Sequence, residues 1–196
     1  MSEEFLFSRT ILTEDESQTI RESILKNESL IKSLGPDLYA GTKSDSLTGR
    51  FRYYNFLNND KIGSILIPKL KKIFKELELK YPISVQCWGN IFRKGEGIKV
   101  HKHGPLNESF FCANLFISGP TKPGTTYYLN NQFVNFENKV GEIHVFGSNL
   151  YHHVSDNKSE EIRISLALDI LPEKSYNDGI RHYVFEQSKS KGFKKQ

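Results

Sequence analysis

The sequence has few of the residues on which small stapled domains depend. Its 196 residues include two cysteines, Cys87 and Cys112, far apart in the chain. That excludes a disulfide framework and any CxxC metal or redox motif, and both thiols, set in apolar strand-like runs, read as small buried hydrophobes. No stretch approaches the run of about 18 apolar residues that a membrane-spanning helix needs. The opening Met-Ser-Glu-Glu-Phe lacks the basic start and apolar run of a signal peptide, so a cytoplasmic protein is expected. A large excess of one charge is missing too. The net charge is +4, and Lys189, Lys191, Lys194 and Lys195 lie in the last eight residues. A nucleic-acid binder carries its basic excess as a patch on the folded surface, so none is expected here.

With 37% hydrophobic residues, the chain can bury one sizeable core and is short for two domains. Thr13 stands three residues before Glu16, the spacing of a reciprocal capping box. Ile20, Ile24, Leu25 and Ile31 then recur at helical spacing, which predicts a helix over 13–34 ended by Gly35-Pro36. A second helix is expected over 60–80, after Asn58-Asn59-Asp60, with Ile65, Leu66, Ile73, Phe74 and Leu77 on one side and Tyr81-Pro82 as its stop. Residues 36–57, rich in Gly, Ser, Thr and Tyr, read as a long loop, in which Arg50, Arg52, Tyr53 and Tyr54 are candidates for a lid or substrate wall.

From Ser84 the pattern changes to short β-type runs at 84–92, 98–103, 110–118, 125–131, 133–137, 142–147, 150–154 and 160–170, separated by turn residues. The expected fold is therefore mainly β with N-terminal helices: a double-stranded β-helix, or jelly-roll and cupin-like barrel, with two helices packed on one sheet. The expected domain spans 1–170, with a barrel core at 84–170. Residues 171–196 form a C-terminal extension in which Tyr176, Ile180, Tyr183 and Val184 could dock, ending in a flexible basic tail.

Four of the six histidines fall in two groups, His101-Lys102-His103 and His152-His153. In a strand, residues i and i+2 share a face, so His101 and His103 can offer two imidazoles to one metal, while only one of the adjacent pair can join them. The bland alternative is a chance pair on a solvated strand edge. The strand 162–170 alternates without a break, placing Ile162, Ile164, Leu166, Leu168 and Ile170 on one face and Arg163, Ser165, Ala167 and Asp169 on the other. Read simply, the polar face meets water. If helices cover the apolar face, Arg163 and Ser165 point into the barrel, where a guanidinium fork suits a carboxylate.

The order HxH, distant His, then Arg-x-Ser resembles the iron(II)- and 2-oxoglutarate-dependent dioxygenases, in particular the prolyl-hydroxylase-like branch and oxygenases with an HxH pair. The resemblance covers 84–170 and is carried by Trp88-Gly-Asn90, Arg93-Lys-Gly-Glu-Gly97, His101 and the run Gly141-Glu-Ile-His-Val-Phe146 through His152-His-Val154. It implies His101 as the first iron ligand and His152 as the distal one. Arg163 and Ser165 would hold the far carboxylate of 2-oxoglutarate, and Asn90 and Asn114 its other oxygens. One position departs from the family pattern: the usual Asp or Glu two residues after the first histidine is His103, taken as the third ligand. The implied activity is hydroxylation of a C–H bond of a protein, amino-acid or small-molecule substrate with O2, releasing succinate and CO2. A three-histidine cupin-like metalloenzyme without 2-oxoglutarate and a non-catalytic jelly-roll binding protein are the alternatives. His144 and His182 have no part in this scheme and read as a satisfied strand histidine and a surface histidine.

Overall fold

The computed structural model describes residues 6–35, 47–80, 82–103, 111–172 and 183–186. Helix α1 (Glu14–Ser33) starts at the expected capping box: Thr13 accepts from the Glu16 N–H, and the Glu16 carboxylate accepts from the Thr13 N–H. Helix α2 (Asp60–Glu76) is capped by Asn59, whose side chain accepts from the Ile62 N–H. It ends four residues before the expected limit, ahead of Tyr81-Pro82. Glu78 takes a left-handed conformation (φ 52°), its N–H reaches Lys75 O at 3.2 Å and the Leu79 N–H reaches Phe74 O at 2.9 Å. Those paired bonds form a Schellman end, which satisfies the last carbonyls before the proline can act.

Among the described residues, ten strands follow the order β1 (Leu6–Thr10), β2 (Ile83–Phe92), β3 (Ile98–His101), β4 (Phe111–Ser118), β5 (Thr125–Leu129), β6 (Gln132–Phe136), β7 (Glu142–Gly147), β8 (His152–Val154), β9 (Arg163–Pro172) and β10 (Tyr183–Phe185). They form a six-stranded sheet, β1-β7-β4-β9-β2-β10, and a four-stranded sheet, β3-β8-β5-β6, with antiparallel pairing throughout. The hairpin β5–β6 turns on Asn130 and Asn131, both at positive φ, the conformation a tight hairpin of this hand requires. Two strands lie outside the expected set. β1 begins at Leu6 and pairs with β7, and β10 pairs with β2. Both are edge strands whose short runs acquire strand character from the partner rather than from their own alternation.

The larger sheet turns one face to the helices. Ile20, Ile24 and Ile31 of α1 and Ile62, Leu66, Leu70, Ile73 and Phe74 of α2 pack with Val85, Cys87, Leu115, Val145, Ile164, Leu166, Leu168 and Ile170 in one buried cluster. Each such aliphatic side chain contributes about 1.5–3 kcal/mol on leaving water. Because side chains alternate, Trp88, Asn90, Asn114, Phe146, Arg163, Ser165 and Asp169 must face the other sheet. The helices thus decide which side of β9 is the inside.

Gly119 follows the end of β4 and lies against the start of β9. It sits at φ +121°, and a Cβ there would lie 2.7 Å from Arg163 Cα and from Ile162 O. Gly119→Ala is expected to destabilise the fold by about 2 kcal/mol or more, through strain at φ and displacement of the strand that carries Arg163. An unchanged denaturation midpoint would contradict that expectation.

Of the segments anticipated from sequence, 36–46, Tyr81, the first strand residue Phe110, most of the 171–196 extension with Tyr176 and Ile180, the basic tail and His182 lie outside the described residues. Among the described residues no helix is long and apolar enough to cross a membrane.

Candidate metal centre

Strands β3 and β8 are antiparallel neighbours in which His101 stands opposite His152. The ladder itself therefore juxtaposes two imidazoles from distant parts of the chain. Their ring centroids are 4.3 Å apart, and the His103 ring lies 5.1 Å from His152 and 5.3 Å from His101. One ligating nitrogen from each lies within 4.8 Å of the others. The expected strand 98–103 stops at His101, so His103 shares the cluster without sharing a strand. Its N–H donates to Ser148 O at 2.9 Å and its ring stacks on Trp88 at 5.7 Å. His153 takes the opposite face of β8, edge-on to Phe133 at 5.4 Å.

The outer nitrogens of the three rings are occupied in a consistent way. His101 Nδ1 faces Lys99 O at 2.8 Å, His152 Nδ1 faces Leu150 O at 3.0 Å, and His103 Nδ1 faces Asp169 Oδ1 at 2.6 Å. With Nδ1 donating in each case, the lone pair lies on Nε2 in all three, the tautomer that ligation of one ion requires. Three neutral imidazoles suit iron(II) and the later first-row divalent ions. The residues present fit such a metal.

Protonation follows burial. Burial, then the neighbouring His103, pulls His101 down to about 4, and burial with His101 and His103 pulls His152 well below the usual imidazole range. Burial also depresses His103, but the charge of Asp169 and its hydrogen bond together more than reverse this, and its pKa is raised. His144 is depressed by burial. The metal-free protein is therefore expected to lose stability as the pH falls from about 7 to about 5. In that window the unfolded histidines take up protons that folded His101, His152, His144 and His153 refuse. His103 acts in the opposite sense, its contribution being full below the ordinary imidazole pKa and fading above its raised one, and four outweigh one. Thermal denaturation at the two pH values checks the sign.

Arg163, at the start of β9, is fully buried. It donates to Ser165 Oγ at 3.2 Å, to Thr125 Oγ1 at 3.2 Å and to Asn138 Oδ1 at 3.3 Å, and its guanidinium lies 5.8 and 5.5 Å from the Phe92 and Phe116 ring centroids. Burial lowers its pKa to about 10, so it stays cationic at neutral pH. Among the described residues no carboxylate pairs with it, and its Nε has no hydrogen-bond partner. A buried cation held only by neutral oxygens and two rings is incomplete electrostatically.

The remaining candidates are tied to this interior. Asn114 donates to Thr125 Oγ1 at 3.1 Å, which joins it to Arg163 through the threonine. Asn90 accepts from Thr48 Oγ1 at 2.5 Å, so it also anchors the loop after α1. Both line an inner cavity with the three histidines and Thr125. That cavity continues outward into an opening of about 210 Å³, walled by Thr48, Phe51, Trp88 and Ile98 beside His101, Lys102, His103 and Asp169. Of the loop between the helices, Thr48 and Phe51 form this wall. Arg50 instead donates to Gly35 O, and Tyr54 receives a hydrogen bond from Asn59 Nδ2. His144 is satisfied by the Tyr127 hydroxyl at 3.1 Å and Glu142 at 3.3 Å. Thr125, Asn138 and the contact of Asp169 with His103 escaped the sequence reading. For Asp169 a signal existed, since it shares the period-two face of Arg163 and Ser165.

No family model matches the sequence, and no curated protein matches it. Solved structures do. A prolyl-4-hydroxylase of Pseudomonas putida aligns over 87% of this chain and 94% of its own, with TM-score 0.62 and 15% identity. A Trichoplax adhaerens prolyl hydroxylase, solved with a hypoxia inducible factor peptide fragment, aligns over 87% and 84%, with TM-score 0.64 and 13% identity. The non-heme monooxygenase ThoJ, solved as a nickel complex, aligns over 95% and 82%, with TM-score 0.68 and 13% identity. The chain has the double-stranded β-helix fold of the non-heme 2-oxoglutarate-dependent oxygenases.

Proposed function

We propose that the protein is an Fe(II)- and 2-oxoglutarate-dependent oxygenase that hydroxylates a C–H bond, with His101, His103 and His152 as the metal ligands. The observation that carries this reading is Arg163, a buried guanidinium with no carboxylate partner among the described residues, joined through Thr125 to the cavity that holds the three histidines. A dicarboxylate with one end on the metal and the other in the guanidinium fork completes both at once. A three-histidine centre that does not use 2-oxoglutarate leaves Arg163 unmatched, and a non-catalytic barrel leaves the three aligned imidazole tautomers without a purpose.

When bound, iron(II) would activate O2, the oxidant, with 2-oxoglutarate as the two-electron co-reductant: one oxygen atom would end in succinate, formed with CO2, and the other in the hydroxylated substrate. The chain supplies placement. Arg163, Ser165 and Thr125 hold the far carboxylate, and Asn90 and Asn114 offer amide groups to the oxygens nearer the metal. Phe51, Trp88 and Ile98 make the outer opening apolar, so a hydrocarbon part of the substrate displaces water there.

Anaerobic titration with iron(II) and then 2-oxoglutarate tests the reading, followed by a succinate assay in air. A visible metal-to-ligand charge-transfer band on adding the keto acid supports it. Metal binding with no band and no succinate would overturn it.

A further inference from the structure

We infer that Asp169 is the carboxylate of this metal centre, acting as a positioning residue through His103 rather than by touching the metal. The inference rests on the metal-site reading above. Three imidazoles are a neutral donor set, and in the resembling family a carboxylate stands where this chain has His103. Asp169 brings a carboxylate to the same place from a different strand. Its Oδ1 lies 2.6 Å from His103 Nδ1, and Cys112 Sγ donates to the same oxygen at 3.2 Å.

Asp169 does not serve Arg163. The two share a face of β9 but stand six residues apart, about 20 Å along an extended strand. They address opposite ends of the site, Arg163 the cosubstrate tail and Asp169 the metal. Nor do His103, Cys112 and Asp169 form a second ion site, although their donor atoms cluster within 4.8 Å. Two ligands at about 2.1 Å from one ion lie about 3 Å apart or more in tetrahedral or octahedral geometry, and 2.6 Å is a hydrogen bond instead.

The three histidines differ in what stands behind them. His101 and His152 sit in paired strands and lean on backbone carbonyls. His103 lies beyond the end of β3, and its ring is set by the Trp88 stack and by Asp169. A carboxylate accepting from Nδ1–H fixes the tautomer, holds the ring and drives electron density toward Nε2, which places negative charge one imidazole away from the metal.

Asp169→Asn keeps the shape and an acceptor oxygen and removes the charge. It is expected to weaken Co(II) binding about 10–100-fold in chelator competition and to alter the cobalt d–d spectrum. In a His103→Ala background the same substitution should change cobalt affinity less than about twofold, because the partner through which it acts is gone. If Asp169→Asn binds cobalt like the wild type with the same spectrum, or weakens it equally in both backgrounds, the inference falls. ¹⁵N-histidine spectra of the zinc-loaded wild type test it without any variant: a strongly deshielded His103 Nδ1 proton is expected, and a proton on Nε2 would overturn it. Both readouts are independent of 2-oxoglutarate. Wild type that binds cobalt but not the keto acid sinks the proposed activity and leaves Asp169 to be judged by these data, whereas wild type that binds no metal sinks both.

Discussion

Replacing Arg163 with methionine is expected to raise the dissociation constant for 2-oxoglutarate by at least about 100-fold while leaving metal affinity within a few-fold of wild type. The keto acid loses a charge-assisted fork, and its far carboxylate would enter a pocket of neutral oxygens and rings with no counterion. Nothing in the contacts of Arg163 reaches the histidines, so metal binding should be spared. The stability effect should have the opposite sign to the functional one. A desolvated, unmatched guanidinium is costly in the unliganded protein, and a flexible apolar side chain between Phe92 and Phe116 is expected to leave Tm unchanged or raise it, despite three lost hydrogen bonds. Arg163→Lys should fall between, because an ammonium restores the charge without the fork. Isothermal titration of the metal-loaded variants, paired with thermal denaturation of the apoproteins, separates the two effects. Wild-type affinity in the methionine variant would remove Arg163 from the cosubstrate site.

The second large effect concerns His152. It is buried, paired across the ladder with His101, and held by the Leu150 carbonyl. His152→Ala should lower metal affinity by about 1000-fold, since two remaining imidazoles cannot complete the facial set, and the charge-transfer band should vanish with it. The neighbouring His153→Ala is the internal control. That ring lies on the other face of β8 against Phe133, so metal affinity should change less than about twofold. Chelator competition with a coloured divalent ion reads both variants. Equal losses would mean that the alternation of β8 does not govern which histidine binds.

Much of this was legible along the chain because it is local. Helix starts depend on Thr13, Glu16 and Asn59, which act within one turn, and the strand runs from 84 to 170 announce themselves by alternation and by the glycines and asparagines between them. The opposite faces of His152 and His153 follow from the same period of two. The edge strands β1 and β10 were harder to see, since their hydrogen bonds are supplied by β7 and β2. The stop of α2 at Glu76 was hidden as well, because a glutamate takes the left-handed position that usually signals itself as glycine.

The site divides along the same line. Residue types and spacing marked out His101 and His103 as one pair and Arg163 and Ser165 as another, because a strand's periodicity assigns faces before any partner is known; the joining of the two pairs and the choice of His152 over His153 came from the family resemblance. Which face was the inside could not be read from β9 alone: its pattern is equally consistent with an apolar core facing the other sheet and polar groups in water. The helices settle that, by burying Ile164, Leu166 and Leu168 and so turning Arg163 and Asp169 inward. Long-range pairing alone brings Asp169 to His103 across 66 residues of chain, and Thr125 and Asn138 to Arg163. Periodicity is a property of the local backbone, whereas a hydrogen bond between distant residues exists only once the sheets have closed on each other.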